Sequence, residues 1–144
     1  MLLKKQQMSI LVIIGLPASG KSSYIKQNNY ENYNIYDDFI PKFNNGNILQ
    51  DIKNKKNICL IDPRLCNITI FNKYISSIEK YVDKKNISLI LFENNKDKCL
   101  ENLKKYRKEL YSNYESTINF YSHIYDIKNY NNYNSIVIKV YEEN

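Results

Sequence analysis

Five stretches of the chain are apolar at successive positions, and the segments between them repeat their apolar residues every three or four positions. The runs Ile10-Leu11-Val12-Ile13-Ile14, Ile58-Cys59-Leu60-Ile61 and Ile87-Ser88-Leu89-Ile90-Leu91-Phe92 have no polar face. Such runs suit parallel strands covered on both sides. A shorter run at 34–36 and a terminal one at 136–141 complete five expected strands. Phe71, Tyr74, Ile75, Ile78 and Val82 fall on one helical stripe, and Leu100, Leu103, Leu110 and Tyr114 on another. Tyr114, Ile118, Tyr121 and Tyr125 step by four, three and four residues, so the Tyr- and Asn-rich tract at 112–130 reads as a helix with a packing face. Only 129–134 reads as loop. Strands alternating with helices predict an α/β fold: a parallel sheet with right-handed crossovers, helices on both faces, and ligands beyond the carboxyl ends of the strands.

The length of 144 residues fits one domain, 1–144. A net charge of +6 suits an anionic ligand. Arg64 and Arg107 are the only arginines, however, and Lys, Asn, Ile and Tyr are spelled by AT-rich codons, so charge alone does not argue for nucleic acid. Cys59, Cys66 and Cys99 are odd in number and lack metal-ligand spacing, which points to a reduced, cytoplasmic setting. Lys4 and Lys5, the apolar run after them and Pro17-Ala18-Ser19 imitate a secretory signal, but cleavage there would remove the first strand. No stretch reaches the ~18 apolar residues of a membrane span. A monomer without membrane association is expected.

The first strand runs directly into Gly15-Leu16-Pro17-Ala18-Ser19-Gly20-Lys21-Ser22, which satisfies GxxxxGK[ST] at every required position. Two of the three glycines of the chain lie in it. Such a loop curls so that successive backbone N–H groups face phosphate oxygens, which requires backbone freedom or close approach at Gly15 and Gly20. Gly15, Pro17, Ala18, Ser19, Gly20, Lys21, Ser22 and Ser23 are therefore the expected nucleotide-binding residues. Lys21 reaches the β and γ phosphates, Ser22 offers a hydroxyl to Mg²⁺, and the helix that follows aims its positive end at the anion. No NKxD motif for guanine is present, which favours ATP.

Further chemistry sits where other strands end. Asp37 and Asp38 follow the second strand, where a carboxylate can take the proton of an attacking hydroxyl; a helix cap or solvated turn is the plainer alternative. Asp62 ends the third strand in Leu60-Ile61-Asp62-Pro63, a position from which a carboxylate can support the metal. Lys104, Lys105, Arg107 and Lys108 form a basic helix face, and Arg107 is the expected guanidinium over the transferring phosphate. His123, the sole histidine, reads as packing or surface.

These features, in this order, resemble the small P-loop kinases, above all the kinase domain of polynucleotide 5′-hydroxyl kinases and the related zeta-toxin group. The echoes are Pro17 within the loop, Tyr33-Asn34-Ile35-Tyr36-Asp37-Asp38-Phe39, Leu60-Ile61-Asp62, and Phe92-Glu93 followed by Cys99, Asn102 and Arg107. The resemblance implies a kinase-type P-loop NTPase fold, a three-layer sandwich with strand order 2-3-1-4-5, and a Mg²⁺-ATP-dependent phosphotransferase. Asp37 would then be the base, Lys21 and Arg107 the other catalytic residues, and Ser22 and Asp62 the metal side. The acceptor would be a hydroxyl compound, with the 5′ end of a nucleic acid among the candidates. The arginine that usually follows the acidic pair is replaced here by Ile40 and Lys42. An acceptor-independent NTPase or switch, or a nucleotide-binding protein without transfer activity, are the alternatives.

Overall fold

The structure is a computed structural model that describes residues 8–141; Lys4 and Lys5 lie outside them. The strands are β1 (Ile10–Ile14), β2 (Asn34–Asp37), β3 (Ile58–Ile61), β4 (Ile87–Phe92) and β5 (Asn134–Ile138). The helices are α1 (Lys21–Asn28), α2 (Asn47–Lys53), α3 (Ile68–Glu79), α4 (Lys96–Tyr106) and α5 (Tyr111–Ile124). All four pairings in the sheet are parallel, in the order β2-β3-β1-β4-β5.

That order and the right-handed crossover rule together decide which face each helix covers. The step from β1 out to β2 runs in one direction and every later step runs in the other, so α1 lies on one face and the remaining helices on the opposite one. The packing agrees. Ile10, Val12 and Ile14 of β1 join Ile48 and Ile52 of α2, Phe71, Ile75 and Ile78 of α3, Leu103 of α4 and Ile118 of α5 in one core. Leu11 and Ile13 point the other way, into a smaller core with Cys59, Ile61, Ile90 and Phe92 that Tyr24 and Ile25 of α1 help to cover. Both faces of β1 are thus dry, which explains a run with no polar alternation.

Local signals set the helix starts. The Asn67 side chain accepts from the Thr69 N–H at 3.0 Å to cap α3, and Asn95 accepts from the Lys98 N–H at 3.1 Å to cap α4. The apolar stripe of α3 is buried through Phe71, Ile75 and Ile78.

Three expectations need correction. The stripe from Leu100 to Tyr114 is not one helix. The chain breaks at Arg107 (φ −140°, ψ 51°), passes through a single 3-10 turn at Lys108–Leu110 and restarts as α5. The break resets the helical phase, so Ile118 and Tyr125 are buried whereas Tyr114 remains 41% exposed. β5 begins two residues earlier than its apolar run, and Val140 and Tyr141 fall beyond it. The 129–134 segment is not all loop, because Ile127–Tyr130 forms a 3-10 turn and Asn134 opens β5.

Among the described residues no helix is long and apolar enough to cross a membrane.

Tyr130 is fully buried, stacks edge-on against Phe71 with ring centres 4.9 Å apart, and donates its hydroxyl to the Leu65 carbonyl. Tyr130→Phe keeps the ring and strands that carbonyl. Its unfolding free energy in urea is expected to fall by about 1–2 kcal/mol with an unchanged denaturant slope.

Candidate functional site

A cleft of about 490 Å³ opens beyond the carboxyl ends of the strands, within the size range of small-molecule sites. The sheet order arranges its walls. The carboxyl ends of β2 and β3 and the turns after them contribute Asp37, Asp38, Ile61 and Pro63, the loop after β1 and the start of α1 contribute Pro17, Ala18, Gly20, Lys21, Ser22 and Ser23, and the far wall is built by Asn102, Leu103, Tyr106 and Arg107 of α4 and its end. Tyr114 and Tyr141 complete it.

The loop between β1 and α1 is strained in the way a phosphate-binding curl requires. Ala18 sits at φ 64° and Gly20 at φ 104°. The N–H of Ser19 returns to the Leu16 carbonyl at 3.2 Å, and Gly20 serves as the N-cap of α1 without any side-chain cap. The first turn of α1 carries no acidic residue, so its positive end faces the cleft uncompensated. A Cβ on Gly15 would stand 2.7 Å from Ser19 Oγ and 2.9 Å from Phe92 Cβ, and one on Gly20 would stand 2.3 Å from Tyr141 Cβ. Gly15 is therefore demanded by packing, Gly20 by packing and backbone angle together.

The back of the loop is tied down from three directions. Lys21 Nζ donates to the carbonyls of Gly15 and Leu16, both at 2.8 Å. The buried Asn102 donates through Nδ2 to the Ala18 carbonyl at 3.1 Å and to the Tyr141 carbonyl at 2.9 Å. Tyr141 in turn donates its N–H to the Ser19 carbonyl at 2.9 Å. Removal from water pushes the Lys21 ammonium below its ordinary range, against the opposing influence of Cys66, Cys99, Asp37 and Asp38. Burial pushes the Cys66 thiol up to about 12, although the Gly15 N–H points at its sulfur. Cys59, Cys66 and Cys99 are all buried free thiols.

Asp37 and Asp38 are exposed and face the cleft. Asp38 takes a left-handed conformation, φ 50°, which Asp tolerates better than most residues and which turns the chain sharply after β2. Asp62 behaves differently. It is fully buried and does not line the cleft. One oxygen accepts from the Arg64 N–H at 2.9 Å, the other from the Ile40 N–H at 3.2 Å, and Arg64 lies 3.5 Å away. Burial raises its pKa, while the two N–H groups and Arg64 act against that shift. Its carboxylate joins the turn after β2 to the turn after β3.

Arg107 is exposed, lines the cleft, and occupies the joint between α4 and α5. Lys104 and Lys105 are exposed and lie over the rings of Tyr111 and Tyr106, at 5.1 and 5.4 Å from their centres; neither they, Lys108 nor Arg64 line the cleft. His123 is exposed on α5, its Nδ1 2.6 Å from the Asn119 carbonyl oxygen, away from the cleft. Among the described residues no cluster of His, Cys, Asp and Glu forms a metal site.

Over 135 residues the chain is 34% identical to uncharacterized protein R277 of Acanthamoeba polyphaga mimivirus, an alignment covering 92% of this chain and 97% of that protein. The chain belongs to the R277 family. No protein-family model matches it. Among solved structures, a gluconokinase from Sinorhizobium meliloti 1021 shares its fold with a TM-score of 0.59 at 11% identity, over 94% of this chain and 84% of that one. This member of the R277 family thus has the P-loop kinase fold, and the five-stranded parallel sheet in the order 2-3-1-4-5 matches expectation.

Four wall residues carried no readable role in the sequence of this R277-family chain. Asn102 stood out only as part of a resemblance, and its clasp on two carbonyls depends on a contact 84 residues distant. Tyr106 and Tyr141 had no signal. Tyr114 looked like part of a packing stripe because the helix break ahead of it has no proline or glycine to mark it.

Asn102→Ala leaves the Ala18 and Tyr141 carbonyls without their donor. Stability is expected to fall by about 1–3 kcal/mol. Hydrogen exchange should quicken in the 15–20 loop and at 140–141 while the amides of β1 stay protected.

Proposed function

We propose that this chain is a kinase that moves the γ-phosphoryl group of Mg²⁺-ATP to a hydroxyl acceptor, acting as a single kinase-like unit. The observation that carries this reading is the meeting of the phosphate loop, Asp37 and Arg107 in one cleft. A P-loop kinase fold shared with a gluconokinase supports it. The loop from Gly15 to Ser23 would hold the triphosphate through its backbone N–H groups and Lys21. The donor set suits magnesium arriving with the nucleotide: Ser22 would offer it one hydroxyl, and phosphate oxygens and water would supply the rest.

In the transfer, Asp37 takes the proton of the acceptor hydroxyl as the acceptor oxygen bonds to the γ-phosphorus. The bond from that phosphorus to the β–γ bridging oxygen breaks, and its electron pair leaves with ADP. Arg107 offsets charge on the transferring group. The metal-side part of Asp62 is indirect in this scheme, because its oxygens already hold the Ile40 and Arg64 amides. It keeps the Asp37-Asp38 turn in register with Pro63.

Asp37→Asn is expected to lower kcat by about 10²–10⁴-fold while calorimetric affinity for Mg²⁺-ATP stays within a few fold. Equal loss of both quantities would count against the base assignment, and steady phosphate release with no acceptor present would favour the NTPase alternative.

A second expectation concerns pH. Lys21 must be charged to pair with phosphate, and its ammonium titrates below the ordinary 10.5. Affinity for Mg²⁺-ATP should therefore decline as pH rises through that lowered value. Lys21→Ala should bind far more weakly at every pH and show no such alkaline limb.

A further inference from the structure

The geometry points to an acceptor without negative charge: a small sugar, nucleoside or amino sugar, held by Asp38 beside the base Asp37. This inference rests on the kinase reading above and narrows its substrate.

The strand order divides the cleft. The loop after β1 occupies the middle, where the donor phosphates belong, and the walls on either side differ in charge. On the α4 side stand Asn102, Leu103, Tyr106 and Arg107. On the β2–β3 side stand Asp37, Asp38, Ile61 and Pro63. α5 packs against the Pro63–Cys66 turn, and its exposed Tyr114 lines the cleft as well. The β2–β3 half is therefore two carboxylates set beside the apolar Ile61 and Pro63, with the Tyr114 ring elsewhere in the same cleft.

Carboxylates accept hydrogen bonds from hydroxyl and ammonium groups, and an aromatic face favours the C–H face of a sugar, a flat base or a cation. One carboxylate suffices as the base. Asp38, which lines the same cleft, supplies a second acceptor for a neighbouring hydroxyl or ammonium.

A phosphate or carboxylate on the acceptor would need a cation in the same half. Among the described residues, the cations lining the cleft are Lys21 and Arg107. Lys21 Nζ sits at the loop, 2.8 Å from two of its carbonyls, and Arg107 belongs to the opposite wall. The nearest cation in sequence, Arg64, turns toward Asp62 at 3.5 Å, and the exposed Lys42 does not line the cleft. An anionic acceptor would meet two like charges with no cation on the same wall, which raises its KM.

The test compares kcat/KM with γ-labelled ATP for three sets of acceptors: hexoses and nucleosides, amino sugars, and the anionic pair of gluconate and a 5′-hydroxyl oligonucleotide. Neutral or cationic acceptors are expected to exceed the anionic ones by about tenfold or more. Asp38→Asn, which tolerates the left-handed backbone, should raise KM more for amino sugars than for neutral acceptors and leave kcat nearly unchanged. Asp38→Lys should shift the preference toward the anionic set, with far-UV circular dichroism checking that each variant is folded. Preferred transfer to gluconate or to the oligonucleotide would overturn this inference and leave the kinase reading standing. Absence of transfer to every acceptor, with Lys21-dependent binding of Mg²⁺-ATP intact, would overturn both.

Discussion

A loop that presents its amides to an anion must turn its carbonyls the other way, and those carbonyls then need donors of their own. This requirement organises the rest of the molecule. The carbonyls of Gly15 and Leu16 take the Lys21 ammonium, that of Ala18 takes Asn102, that of Ser19 takes the Tyr141 N–H, and that of Gly20 takes the Tyr24 N–H. Lys21 and Tyr24 come from α1, Asn102 from α4 and Tyr141 from the chain beyond β5. A buried carbonyl left without a donor costs about 1–3 kcal/mol, so elements drawn from the length of the chain converge behind eight residues. Close contact reinforces the bonds, since Gly20 lies against Tyr141 with no room for a side chain.

The same logic extends to the β2–β3 side of the cleft. Asp62 has the position of a metal-side carboxylate but the surroundings of a brace: it is buried, with both oxygens engaged by backbone N–H groups of the two flanking turns. The exposed carboxylates of Asp37 and Asp38 are left to face the cleft. Three aspartates that look alike in sequence are thus divided by burial into one that shapes the site and two that can meet a ligand.

The fold was readable because its signals are local and redundant. β1, β3 and β4 are apolar on both faces, and α3 carries a regular stripe, so each names its own environment. The 15–22 loop is legible for a different reason: the GxxxxGK[ST] pattern fixes particular residue types within eight positions. What escaped was set at long range or lacked a marker. α2 is only seven residues long and contributes just Ile48 and Ile52 to the core, too few for a period to emerge. The break at Arg107 is marked by no helix breaker, so the stripes on either side of it look continuous and Tyr114 reads as part of a packing face. Asn102 and Tyr141 matter through partners far away in sequence, which no local pattern reveals.

The clasp on the loop also has a consequence for synthesis on the ribosome. The 15–22 loop emerges well before Tyr141, which backs Gly20 and closes on Ser19 and Asn102. A nascent chain therefore carries the whole motif long before it possesses the shape that the motif requires. The backing of the loop arrives only with β5 and the segment beyond it, so a product truncated before Tyr141 would carry the motif without the contacts that hold its shape.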